Sequence, residues 1–143
     1  MKVIFICTAN SCRSQMAEAW ARRLWPADWE VASAGLVTYP ITDATRAVMA
    51  EAGLDMTGQE SKPIDDFRLD DFDLVVTLSE EAGRFLPPLA QPQRHRHAPI
   101  EDPMQVEDGP AQGRADFRAA RDLIRTLVVA LGADLGLAGD RQA

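Results

Sequence analysis

The stretch Cys7-Thr8-Ala9-Asn10-Ser11-Cys12-Arg13-Ser14 decides the reading of this chain. An apolar run, Val3-Ile4-Phe5-Ile6, leads into it, and a helical pattern opening Ser14-Gln15-Met16-Ala17-Glu18 leads out. The order is strand, tight loop, helix, with a cysteine where the strand ends and an arginine six positions on. That spacing suits an oxyanion. A short loop entering a helix turns backbone N–H groups inward, and the positive end of the helix dipole adds to them. Arg13 supplies a planar fork matched to two oxygens of a tetrahedral anion. The same field favours Cys7 as a thiolate near neutral pH, and so as a nucleophile. Taken singly, a cysteine closing an apolar strand is a small buried hydrophobe. Arg13 alone is a solvated first-turn residue, and Asn10 and Ser11 are ordinary turn residues. Together at a strand-to-helix junction, the residues from Cys7 to Ser14 serve one anion.

Outward from the loop, residues 2–7 read as a parallel strand buried on both faces. Residues 14–24 read as a helix with Met16, Ala19, Trp20 and Leu24 on one side and Glu18, Arg22 and Arg23 on the others. After a turn at Pro26 and Asp28, Trp29 to Ala34 alternate and end at Gly35, a second strand. Thr42 or Asp43 caps a helix running to about Ala52 and closed by Gly53. Residues 54–70 are irregular, and Asp65, Asp66, Asp70 and Asp71 read as caps and solvated groups because no His or Cys joins them. Leu74-Val75-Val76-Thr77-Leu78 is a second buried strand, and Ser79 starts a helix that Pro87-Pro88 must end. Residues 93–98 suit a last short strand, in which Arg94-His95-Arg96-His97 alternates faces and is weak evidence for a metal. A loop is expected over Gly109-Pro110 to Gly113. From about Ala115 the spacing of Phe117, Ala120, Ile124, Leu127, Val128, Leu131 and Leu135 marks a long amphipathic helix. Residues 1–136 form one domain on this reading, and 137–143 a frayed tail.

Strands alternating with helices give an α/β fold, a parallel sheet with helices on both faces. Ligands in such sheets sit at the carboxyl ends of the strands, where the loop at 7–14 lies. The 143 residues bury a core without staples, and the 46% apolar and 6% aromatic content is that of an ordinary globule. A net charge of −7 argues against broad nucleic-acid binding or an anionic membrane surface. No apolar run approaches spanning length, and the start passes straight into a strand without a signal-peptide cleavage region, so the cytoplasm is expected. Both cysteines lie in one short stretch, which excludes a secreted disulfide framework.

Cys7…Arg13-Ser14 resembles the Cys-x5-Arg-[Ser/Thr] loop of the low-molecular-weight protein tyrosine phosphatases and of the arsenate reductases that share their fold. The resemblance runs along nearly the whole chain. Ser33-Ala34-Gly35 is similar to the family's second-strand end, Asp73-Leu74-Val75-Val76-Thr77-Leu78 to its third strand, and Glu101-Asp102-Pro103 to its Asp-Pro motif. Asn10-Ser11-Cys12-Arg13-Ser14-Gln15-Met16 looks closer to the reductases. The resemblance implies a single-domain, four-stranded, flavodoxin-like sheet. It also implies roles. Cys7 attacks phosphorus or arsenic, Arg13 and the loop amides from Thr8 to Ser14 hold the oxygens, and Ser14 donates to the thiolate. Asn10 keeps the loop preformed, and Asp102 is the general acid, provided that burial or Glu101 holds its proton. Without the resemblance, Glu101-Asp102-Pro103 reads as a turn and Ser14 as a helix-cap hydroxyl.

The two subfamilies differ in how the adduct is resolved. In the phosphatases water hydrolyses a cysteinyl-phosphate. In the reductases a second thiol attacks the cysteine sulfur and arsenite leaves. This chain has no cysteine beyond position 12, so reduction would need an external thiol of the glutaredoxin, glutathione or mycothiol type, or else Cys12. Cys12 reads equally as a partner in a reversible disulfide with Cys7 and as a small packed residue. Tyr39, the single tyrosine, stands where the family lines its pocket mouth with aromatics, which suits an aryl phosphate. Some reductases hold a potassium ion near the loop. Asn10, Glu18 and Ser33 match three of its ligands, while Lys62 stands where an acidic ligand belongs. The expectation is therefore no cofactor and no metal, with the Lys62 ammonium in the potassium position. The leading reading is an arsenate reductase, followed by a tyrosine phosphatase and then by a non-catalytic oxyanion-binding protein.

Overall fold

The computed structural model describes residues 1–103 and 110–137. Its centre is strand β1 (Lys2–Cys7), apolar on both pleat faces and buried almost throughout. Val3 and Phe5 face one core, and Ile4 and Ile6 face the other. Strand β2 (Glu30–Gly35) pairs with one side of β1, with Cys7 opposite Gly35. Strand β3 (Leu74–Thr77) pairs with the other side, Ile6 opposite Thr77, and β4 (His95–His97) adds outside β3. All pairings are parallel and the strand order is β2-β1-β3-β4. The chain leaves β1 to one side and returns to the other, so strand order reverses at β1, where the loop after Cys7 emerges.

The two faces are covered unequally. On one, helix α1 (Arg13–Leu24), helix α2 (Asp43–Glu51) and helix α4 (Pro110–Asp134) enclose the larger core. The indole N–H of Trp20 donates to the Arg121 carbonyl (3.2 Å) and that of Trp25 to the Val128 carbonyl (3.1 Å), pinning α1 to α4. Glu51 holds α2 to α4 through Arg118 and Arg121. The other face receives short pieces: helix α3 (Glu80–Phe85) and two 3-10 turns, Ile64–Asp66 and Leu69–Asp71, closing over Ile4, Ile6, Phe72 and Val75. Thr42 and Ser79 cap α2 and α3 through their side-chain oxygens. The aspartates of the irregular stretch act locally: Asp70 accepts from the Ala90 N–H and Asp71 faces Arg68.

Two expectations are corrected. The loop placed over 110–113 is the first turn of α4, because proline at the start of a helix has its φ already set and one glycine inside is tolerated; Gly109 lies outside the described residues. Glu18, assigned to the polar side of α1, is buried, whereas Leu24, assigned to the apolar side, is 36% exposed. Its first turns are enclosed between the sheet and the loop segments, so burial there does not follow a stripe. His95 and His97 are tied to one hydroxyl, Thr77 Oγ1, at 2.8 and 2.7 Å. Among the described residues no helix is long and apolar enough to cross a membrane, and no cluster of His, Cys, Asp and Glu could hold a metal ion. The tail expected to fray lies, from residue 138, outside the described residues.

Candidate active site

Between the end of β1 and the start of α1, the backbone is held from outside. The carbonyls of Cys7, Thr8, Ala9 and Ser11 accept N–H bonds from Leu36, Val37, Tyr39 and Thr42, at 3.0–3.2 Å. The Ala9 carbonyl also accepts from Ser61 Oγ (3.1 Å), and that of Asn10 from Gln15 Nε2 (3.1 Å). A trans peptide carries its N–H on the edge opposite its carbonyl, so these tethers set the loop's N–H groups on the other edge. No acidic side chain occupies the first turn of α1, and Cys12, its cap residue, makes no side-chain cap bond, so the positive helix end is left for an anion. The loop passes over Gly35, where a Cβ would come within 2.7 Å of the Asn10 nitrogen and 2.8 Å of the Ala9 carbonyl carbon. Asn10 itself has φ 52°, a left-handed conformation asparagine tolerates better than most residues.

Beneath the loop lies a buried polar network. Asn10 Oδ1 accepts from the Lys62 backbone N–H and from Gln15 Nε2, both at 2.8 Å. A backbone N–H can only donate, so this fixes the orientation of the Asn10 amide. Asn10 Nδ2 therefore donates to Ser14 Oγ (2.7 Å) and to Ser33 Oγ (3.0 Å). Ser14 Oγ lies 2.8 Å from Cys7 Sγ, and having accepted from Asn10 it has its own proton left to donate to the sulfur. Ser33 Oγ donates to Glu18 Oε1 (2.6 Å). Asn10, Ser14, Gln15 and Ser33 are fully buried, and among the described residues no buried side-chain nitrogen or oxygen lacks a partner.

Above the loop opens a cavity of about 300 Å³ lined by Cys7, Thr8, Ala9, Ser11, Cys12 and Arg13, with Val37, Thr38, Tyr39 and Asp102 around it. Arg13 crosses its edge. One terminal nitrogen donates to the Ile100 carbonyl (3.0 Å), and the other lies 3.6 Å from Asp102 Oδ2. A neighbouring cavity of about 390 Å³ shares Thr8, Arg13 and Asp102 and adds Glu80, Glu81 and Glu101. Thr8 Oγ1 faces Ser79 Oγ (3.0 Å) and Glu81 Oε1 (3.1 Å). Burial pushes the Cys12 thiol up to about 12, opposed by its hydrogen bond with the Thr45 side chain, so it is a neutral packed thiol. Both cysteines are free.

The structure thus brings Cys7, Arg13 and Asp102 to one cavity, while Asn10 and Ser14 lie behind it as supports. Lys62 is corrected: its ammonium donates to the Glu60 carbonyl (3.0 Å), and Glu18 is met instead by the Arg22 guanidinium. Sequence reasoning passed over Val37, Thr38, Gln15 and Arg22. Gln15 and Glu18, interleaved with Met16, Ala17 and Ala19 at the start of α1, are the available signal for the buried network.

Residues 2–140 match the family described as low molecular weight phosphotyrosine protein phosphatase. The chain is 37% identical over 126 residues to an arsenate reductase of Staphylococcus xylosus, covering 88% of this chain and 92% of that protein. It is 39% identical over 127 residues to a glutaredoxin arsenate reductase of a Synechocystis species, covering 89% and 92%. A solved arsenate reductase in the phosphate binding state superposes with a TM-score of 0.80 at 37% identity, over 93% of this chain and 97% of that one.

Proposed function

The chain belongs to the low molecular weight phosphotyrosine protein phosphatase family, and from that premise we propose that it is an arsenate reductase whose cysteine adduct is resolved by an external thiol. The observation that carries the reading is that Cys7 and Cys12 line one cavity, that burial holds Cys12 as a neutral thiol, and that the sequence has no third cysteine to resolve an adduct. Cys7 thiolate, accepting from Ser14, attacks arsenic and forms an S–As bond, while one arsenate hydroxyl takes the Asp102 proton, its As–O bond breaks and it leaves as water. Arg13 and the loop N–H groups hold the remaining oxygens and their charge. A thiolate of the glutathione or mycothiol type then attacks Cys7 Sγ. The S–As bond breaks, its electron pair stays on arsenic, and arsenite departs. A second thiol, from a glutaredoxin or another small-thiol molecule, reduces the mixed disulfide on Cys7 and restores the thiolate.

The alternative is aryl phosphate hydrolysis through a cysteinyl-phosphate, with water as the second nucleophile; Tyr39 on the cavity wall favours it. One experiment separates the readings. Purified protein receives arsenate with glutathione and a glutaredoxin, and in parallel an aryl phosphate. Arsenite formation that is lost in Cys7→Ser supports reduction. Fast aryl phosphate turnover without arsenite overturns it in favour of the phosphatase, and oxyanion binding without either reaction overturns both.

A further inference from the structure

We infer that Arg22, on the surface of α1, is a positioning residue that keeps Cys7 ionised through the buried chain Glu18–Ser33–Asn10–Ser14. The inference rests on the proposed thiolate at Cys7. Arg22 Nε and one terminal nitrogen both lie 2.9 Å from Glu18 Oε2, and the guanidinium also donates to the Val31 carbonyl (2.7 Å). The Glu18 side chain is 4% exposed while that of Arg22 is 55% exposed, so a solvated cation clamps a buried carboxylate. Oε2 is taken by Arg22 and Oε1 by Ser33.

The direction of every hydrogen bond in this chain follows from one backbone group. The Lys62 N–H fixes Asn10 Oδ1, and both protons of Asn10 Nδ2 then go to the two serine hydroxyls. Each serine passes its own proton outward, Ser33 to Glu18 and Ser14 to Cys7. One amide thus supports two acceptors, a carboxylate at one end and a sulfur at the other. Two anions joined by so short a polar chain repel each other in a medium of low dielectric. Arg22 cancels the first and leaves the second stable.

Ser33 donates to Glu18 Oε1 and so favours the ionised carboxylate. Without Arg22 that charge stands bare at one end of the chain and disfavours a second anion, the thiolate, at the other. Among the described residues, the charged and titratable groups that line the cavity with Cys7 are Arg13, Cys12, Tyr39 and Asp102, and none of them is altered by a change at position 22.

The test is the pH dependence of iodoacetamide alkylation at Cys7, localised by fragmentation mass spectrometry on the intact, folded chain. Wild type alkylates with a midpoint well below that of a free thiol. Arg22→Met moves the midpoint up by about half a unit, the lower end of the coupling seen within one hydrogen-bonded network. Arg22→Lys restores most of the shift. In a Glu18→Gln background the same Arg22→Met change moves nothing, because no carboxylate remains to be neutralised. If circular dichroism shows Arg22→Met unfolded, Arg22→Gln, whose amide can still donate to the Val31 carbonyl, carries the same expectation. An unmoved midpoint in a folded Arg22 variant, or an equal shift in the Glu18→Gln background, overturns the inference and leaves the proposed function standing. A wild-type midpoint at the free-thiol value overturns both.

Discussion

The two walls of the cavity are built on different terms. The β1–β2 wall, residues 7–15 with 33–42 behind them, is tethered through nearly every backbone carbonyl and backed by buried, fully partnered side chains. The wall beyond β3 and β4 meets the site at two side chains of the loop: Ser79 and Glu81 at Thr8, and the Ile100 carbonyl and Asp102 at Arg13, Asp102 at 3.6 Å. The first wall needs its shape before an anion arrives, because preorganised dipoles stabilise charge without rearranging. On the proposed mechanism the second carries the group that exchanges a proton, and an aspartate 24% exposed suits that. Changes in the first wall should therefore cost both activity and stability, and changes in the second activity alone.

Arg13 belongs to both walls, and the largest effect is expected there. Arg13→Lys removes the planar fork and lowers kcat/KM for arsenate about a thousandfold, measured as arsenite formation. Asp102→Asn is expected to lower turnover about a hundredfold on arsenate, while urea unfolding shifts by less than about 1 kcal/mol. A large loss of stability there would erase the contrast between the walls. Asn10→Ala, in the first wall, should cost both activity and stability. It leaves the Lys62 N–H, Gln15 and both serines short of a partner and puts alanine at a positive φ, costing about 3 kcal/mol in the same unfolding experiment.

At neutral pH the smallest effect lies at Cys12, because its contribution changes only on the alkaline side. Its folded thiol is raised from 9.0 to about 12, so between those values the folded state keeps a proton that the unfolded chain gives up. This contribution is whole below pH 9.0 and is lost as the pH climbs toward about 12. The alkaline limb of a stability-against-pH curve should fall by at most about 1.4 kcal/mol per unit from this group. Cys12→Ala flattens that part of the limb. An unchanged limb would mean that the thiol is less buried than its surroundings imply.

The same contrast explains what could be read from residues alone. The first wall is local: strand, loop and helix run consecutively, so Cys7, Arg13 and Ser14 declare one another by spacing. The second wall is assembled by topology. Asp102 reaches Arg13 across 89 positions of sequence because β4 pairs outside β3, and nothing in Glu101-Asp102-Pro103 by itself distinguishes an acid from a turn. Arg22 and Lys62 show the same limit. Which cation meets Glu18 depends on an i to i+4 step along α1 and on where a loop sends its ammonium, and only the first is visible in a helical pattern. The start of α4 was misread because proline and glycine mark loops in most settings, whereas proline also opens helices.

The most direct test is protection of Cys7. Wild-type protein is treated with iodoacetamide at mildly acidic pH, with and without saturating arsenate, and the modified residue is identified by mass spectrometry. A reactive, ionised sulfur beneath an oxyanion cradle predicts rapid modification at Cys7 alone and its suppression by arsenate. A Cys7 that stays inert until strongly alkaline pH, or that arsenate, phosphate and sulfate all fail to shield, contradicts the account.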